Sequence, residues 1–302
     1  MRNSIAAAVA AVLAVSPALA APPQWDIGLR HLASISTGST GEVGAEIVAY
    51  DPRSRRAFAI NSEDNDLAVI DLSDPAAPIL QDTIALDALG AGRNSVATFN
   101  GLVAVAVEAS PKTNPGRVVF IDAVTLQFRG DVGVGALPDM LKFTGDGTHV
   151  LVANEGEPVD YLPGSVNPEG SVSIIDLGQG VAAATVRSAD FTAFSREELN
   201  AQGIRVFGPG TTAAQDLEPE YITVHGRTAW VTLQEANAVA IVDVPTAAVQ
   251  SIVPLGLKDY SQPGTRSMPA RKMASTSSTG RSSGCTSPMP SPSTTSAASA
   301  SS

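Results

Sequence analysis

The sequence predicts an all-β fold, a β-propeller with about four blades present of a longer ring. Three observations predict it. One unit recurs four times: an apolar strand, a tight turn, a second strand ending in Glu, and a third strand ending in Asp. The closing aspartates Asp71, Asp122, Asp176 and Asp243 lie 51, 54 and 67 residues apart, as expected of blades with inserted loops. Each first strand is followed by a turn signal (Asp51-Pro52, Asn100-Gly101, Asp146-Gly147, His225-Gly226), where Asn, Asp or Gly supplies hairpin geometry. A β-sandwich, the competing all-β fold, does not predict repeats in register.

In chain order, residues 1–20 read as an export signal. Arg2 is a positive start, residues 5–15 are apolar, and Ala18-Leu19-Ala20 is a small-x-small cleavage site, with processing expected after Ala20. The apolar run is too short for the roughly 20 residues that span a bilayer, so no transmembrane span is expected after cleavage. A secreted or periplasmic protein follows. Residues 25–37 read as one strand without a partner in its own repeat. In a closed ring such a strand completes the last blade. The four units begin near Glu46, Asn94, Pro138 and Pro219. Their strands show alternation and β-branched density, as in Val150, Leu151 and Val152 or Ile241 and Val242. Two insertions, 156–169 and 187–217, lengthen the third unit, and 191–204 reads as a short helix.

Residues 265–302 change composition. They hold 13 serines but no acid, aromatic, leucine, isoleucine or valine, which is the signature of a disordered tail. Read one base out of register with permissive codons, this stretch recovers turn and aromatic content. A frameshift after Gly264 is therefore expected. The domain reading is signal 1–20, partial propeller 21–264, and tail 265–302.

The chain carries 30 acidic and 19 basic residues, and four of the basic ones lie in the tail. A surface this acidic repels phosphate backbones, so nucleic acid is excluded as a partner and cationic ligands are favoured. The only cysteine is Cys285, in the tail, so the body is held by its core without disulfides. His31, His149 and His225 lack metal-ligand spacing. Neither a G-x-S-x-G elbow nor a phosphate-cradling glycine loop is present.

In a propeller, the start of each inner strand and the end of the second strand open on one face near the central channel. Glu46, Asn94, Asp139, Glu218 and Glu220 occupy the starts. Glu63, Glu108, Glu155, Glu157 and Glu235 occupy the ends. Together they predict an acidic ring with Arg93 as its counter-charge and Ca²⁺ or a cationic ligand as its occupant. The competing reading gives each Glu a local role in its own repeat. Residues 61–66 and 154–161 are oxygen-rich but lack the calcium-loop pattern, and read as turns. Residues 215–220, QDLEPE, either present Glu218 and Glu220 to a ligand or simply start a blade.

The stretches EIVAYDP, AINSEDNDLAVIDLSDPAAP, GLVAVAVEA, ALPDMLKFTGDG, LVANEGEP, PEGSVSIIDL, FGPG, QDLEPEYI and LGLKDYSQPG resemble the choice-of-anchor I family across residues 25–264. The resemblance implies a secreted bacterial propeller of YVTN-like blades, related to proteins named mesenchyme-specific cell-surface glycoprotein. It also implies longer relatives with a C-terminal anchoring segment. Two function classes follow. One is an exported binding or scaffold module acting on an extracellular or periplasmic ligand through its acidic face. The other is a metal-dependent, phosphatase-like hydrolase, a label that some relatives carry.

Overall fold

The structure is a computed structural model that describes residues 28–37, 45–62, 64–162 and 164–259. The signal, the tail and Glu63 lie outside the described residues. The chain divides into two units, residues 1–256 and 257–302. All sheets belong to the first. In the second, the described residues 257–259 have no regular structure.

Among the described residues, sixteen strands form four antiparallel sheets, each of four strands in sequence order. Blade 1 is β1 (Ala45–Asp51), β2 (Arg56–Asn61), β3 (Asp66–Asp71) and β4 (Ile79–Ala85). Blade 2 is β5 (Arg93–Phe99), β6 (Leu102–Val107), β7 (Pro115–Asp122) and β8 (Phe128–Ala136). Blade 3 is β9 (Pro138–Phe143), β10 (His149–Asn154), β11 (Ser171–Asp176) and β12 (Thr185–Asp190). Blade 4 is β13 (Pro219–His225), β14 (Thr228–Leu233), β15 (Ala238–Asp243) and β16 (Ala248–Pro254). Helix α1 (Arg196–Ala201) falls where the sequence predicts it, capped by Ser195, and α2 (Ala213–Asp216) follows behind a Thr212–Gln215 capping box.

The middle strands explain the stack. Successive side chains of a strand face opposite ways, so a strand buried on both faces must be apolar at every position. In β2 and β3, Phe58, Ile60, Leu67 and Val69 face blade 2 and meet Val103, Val105 and Val119. The alternate residues Ala104, Ala106, Val118 and Phe120 face blade 3 and meet Leu141, Val150 and Val152. Leu151, Ala153, Val172 and Ile174 in turn meet Val231, Leu233, Ala240 and Val242 of blade 4. Each fully buried Val, Leu, Ile or Phe contributes about 1.5–3 kcal/mol. The outer face of blade 4 lacks this cover, and Trp230 remains 39% exposed.

The inner strands pack in order, β1 on β5, β5 on β9 and β9 on β13. Among the described residues, β13 makes no comparable contact with β1, so the blades form an arc. Of the strand expected at 25–37, with no partner in its own repeat, residues 25–27 lie outside the described residues, and residues 28–37 have no ladder partner among the described residues. Ile35 instead lies against the outward alanines of blade 1, Ala57, Ala59 and Ala68. Without a neighbouring strand edge, no ladder forms along 28–37 among the described residues.

The recurrent aspartates serve the turns. Asp71 accepts from the Ser73 amide at 2.7 Å and Asp176 from the Gly178 amide at 2.8 Å. Asp122 accepts from the Val124 and Thr125 amides, and Asp243 from Thr246. These Asx turns fold the third strand into the fourth. At the hairpin predicted by Asn100-Gly101, both residues have positive φ, 45° and 89°. The buried carboxylate of Asp51 accepts from the Gly101 amide at 2.9 Å, tying the blade 1 turn to that of blade 2.

Candidate functional site

The predicted acidic residues divide into two groups. Those of blades 1 and 2 are engaged locally. Glu46 is exposed and accepts from Ser62 at 3.3 Å. Asn94 donates to Glu108 at 3.4 Å and to the Pro138 carbonyl at 3.1 Å, linking blade 2 to blade 3. Glu108 also exchanges backbone bonds with Ala91 and Gly92, and a Cβ on Gly92 would lie 2.8 Å from its carboxylate. Arg93 is buried with Asp87 at 3.2 Å and the Ala91 carbonyl at 3.0 Å, so its ionic partner is Asp87.

Blades 3 and 4 gather the rest. Asp139 opens β9, Glu155 and Glu157 follow β10, Glu218 and Glu220 open β13, and Glu235 follows β14. Burial, together with the charges of Asp139, Glu157, Glu218 and Glu220, pushes the Glu155 carboxyl up to about 8. Glu218 is pushed up to about 7, first by burial and then by Glu235, Glu157 and Asp216, against the opposing effect of the Tyr161 hydroxyl. Burial and then repulsion from Glu235 and Asp139 raise Glu220 to about 7. Burial alone raises Asp139 to about 6. One buried oxygen of Glu235 has no hydrogen-bond partner.

Two residues of the site were not singled out in the sequence. Lys112, in the loop after β6, forms an ion pair with Glu157. Tyr161 donates to Glu218 at 3.2 Å, and burial and the charges of Glu218, Glu157 and Glu155 raise its proton affinity. Tyr161 lies in the oxygen-rich stretch 154–161, where its aromatic ring among acids was the available signal. The QDLEPE stretch separates its carboxylates. Asp216 turns back into its own loop, accepting from the amides of Phe207 at 2.6 Å and Gly208 at 3.0 Å. Glu218 and Glu220 join the cluster. Glu218 reaches its place with a left-handed backbone, φ 30°, a conformation costly for a residue with a Cβ.

Asp139, alone of the six clustered carboxylates, lines a cavity of about 490 Å³ along the inner strands, together with Ile47, Asn94, Thr98, Lys142 and Tyr221 among others. Among the described residues, no three His, Cys, Asp or Glu side chains converge closely enough to grip a metal ion.

Comparisons with known proteins bear on the fold. The model of the Choice-of-anchor I domain matches residues 46–268, well over half of the chain. No curated protein matches it. Many solved structures resemble it, among them three at low identity. A chain of a nidogen/laminin complex aligns with TM-score 0.43 and 11% identity, covering 68% of this chain and 62% of that one. Hydrazine synthase of Kuenenia stuttgartiensis gives 0.41 and 15%, covering 72% and 78%. A functionally unknown protein from Desulfotomaculum acetoxidans gives 0.45 and 10%, covering 69% and 56%. This chain thus spans less than two thirds of two of these relatives. Among the described residues, no helix is long and apolar enough to cross a membrane, a statement that does not extend to β-barrels.

Proposed function

We propose that this chain, which belongs to the choice-of-anchor I domain family, is an exported propeller module whose acidic mouth recognises a cationic group. The supporting observation is the convergence of Asp139, Glu155, Glu157, Glu218, Glu220 and Glu235 between blades 3 and 4, with four of these carboxyls held protonated to unusually high pH. A carboxyl that resists ionisation for want of water and counter-charge gains free energy when a cation arrives, because the cation supplies what burial removed. An ammonium or guanidinium group suits this arrangement, since it hydrogen-bonds to several carboxylates without the tight shell that Ca²⁺ requires. The hydrolase alternative needs clustered metal ligands, and no observation favours it.

Calorimetry at pH 9 tests the reading, with the diamine putrescine and Ca²⁺ as separate arms. Putrescine is expected to bind at pH 9 and more weakly at pH 5, and to bind less tightly to the Glu155→Gln/Glu220→Gln double variant. Absence of putrescine binding, or equal binding by the double variant, would overturn it. Binding of Ca²⁺ in place of the diamine would transfer the site to calcium.

A further inference from the structure

The opposite ends of the same strands border a second cavity, whose lining is locally rich in basic side chains. Asp139 opens β9 and Glu155 follows β10, whereas the β9–β10 turn and His149 lie at the other end of both strands. Six residues at about 3.3 Å each place the two ends roughly 20 Å apart. At the turn end, between blades 3 and 4, lies a cavity of about 720 Å³ lined by His149, Arg187, His225 and Arg227, with Asp146 and an apolar wall that includes Pro245. The whole chain has a net charge of −11, so a concavity with two arginines, two histidines and one carboxylate is a local exception.

The contacts show what is committed and what is available. Arg187 donates from its two terminal nitrogens to the carbonyls of Pro245 at 2.5 Å and Val244 at 3.3 Å. This fixes the guanidinium at the cavity wall, and its five N–H groups are not exhausted by two bonds. Arg227, with a side chain 72% exposed, reaches Asp243 at only 3.5 Å. His149 shares one ring nitrogen with the Thr148 hydroxyl at 2.8 Å, which leaves the other ring nitrogen outside that bond. The Asp146 carboxylate is turned into its own loop, accepting from the Thr144 hydroxyl at 2.6 Å and from Thr148 at 3.0 Å and 2.9 Å. Its charge is therefore directed at its own turn. Gly145 and Gly226 also line the cavity, and a Cβ on either would meet nothing within 4 Å, so the backbone there is open to an approaching group.

We propose that this cavity binds a small-molecule oxyanion, a phosphate or sulfate group. Arg227 and Arg187 supply charge and planar N–H groups, His149 and His225 supply ring nitrogens, and the apolar wall receives the body of the molecule. Guanidinium groups match tetrahedral oxyanions in geometry as well as charge. The surrounding negative field disfavours anions elsewhere on the chain.

The chain has three histidines, His31, His149 and His225, so imidazole NMR signals give a site-resolved readout. His31 lies in the segment before blade 1 and serves as an internal control. Inorganic phosphate, or sulfate in a parallel arm, is added to the full chain at constant ionic strength, with chloride alone as reference. The His149 and His225 signals are expected to move saturably, with a dissociation constant on the order of 1 mM or tighter, while His31 stays in place. The exposed Arg227→Gln variant should bind about tenfold more weakly, with an unchanged urea midpoint. His225→Gln provides a second variant with the same expected loss. Four results would each overturn the proposal: no saturable shift with either oxyanion, equal movement of all three histidines, reproduction of the shifts by chloride, or undiminished binding by both variants.

Discussion

Replacing Glu155 by Gln should flatten the fall of stability with pH between about 4.5 and 8. Unfolded, a glutamate releases its proton near 4.5, whereas Glu155 in the folded chain does so near 8. Between these values the folded state holds a proton that the unfolded state has lost. The stabilisation is therefore fully present below pH 4.5 and disappears as pH rises through 8. Each tenfold change in proton affinity is worth about 1.4 kcal/mol, so a fully buried group displaced this far would cost several kcal/mol at pH 9. Glu155 keeps partial access to water, which screens part of that cost, and about 2 kcal/mol is the expected penalty. Glutamine keeps the shape and removes the charge. Urea unfolding at pH 5 and pH 9 measures the difference: wild type should lose about 2 kcal/mol more than the variant over this interval. Glu218, Glu220 and Asp139 titrate in the same window, so the variant keeps a residual slope. Asp146, held near 2 by Thr144 and Thr148, affects stability only below that interval. Parallel pH profiles for the two proteins would refute the claim that Glu155 is strained by burial and repulsion.

Leu151→Ala removes a fully buried side chain at the blade 3–blade 4 core and should cost about 2–5 kcal/mol in urea unfolding, against a near-neutral effect of Leu162→Ala on the exposed insertion. Asp216→Asn leaves the Phe207 amide and the buried Gly208 amide short of a charged acceptor and should cost about 1.5–3 kcal/mol, with faster amide exchange at both positions.

The blades were legible because a propeller imposes its pattern on every repeat. A strand such as β6, LVAVAV, can be apolar at all positions only when both faces are covered, and that condition recurs in β2 and β10. Hairpins with Asn or Gly at left-handed positions could be placed for the same reason. The 28–37 segment stays unpaired among the described residues because strand pairing depends on a neighbouring edge, which a single segment's sequence does not encode. The acidic site was half legible. Its residue types stood out, but their convergence depends on the insertions of blade 3. Those insertions deliver Tyr161 to Glu218 and fold Asp216 away from it. No repeat supplies a template for such contacts.

Recurrence in the sequence marks scaffold, and departure from it marks the candidate site. The closing aspartates occur in all four repeats, and every one of them caps its own turn. Glu46 and Glu108 hold the repeat positions in blades 1 and 2, and each has a partner within its own blade, Ser62 and Asn94. A residue required by each blade is selected for the blade, so its recurrence gives no evidence of a ligand. Blades 3 and 4 break the pattern: carboxyls double at the end of β10, as Glu155 and Glu157, and at the start of β13, as Glu218 and Glu220. Turn capping and strand pairing account for none of these doublings. Burial and mutual repulsion raise the Glu155, Glu218 and Glu220 carboxyls, and Glu218 takes a left-handed backbone. Mutual repulsion that a scaffold does not need is what the proposed cation would relieve.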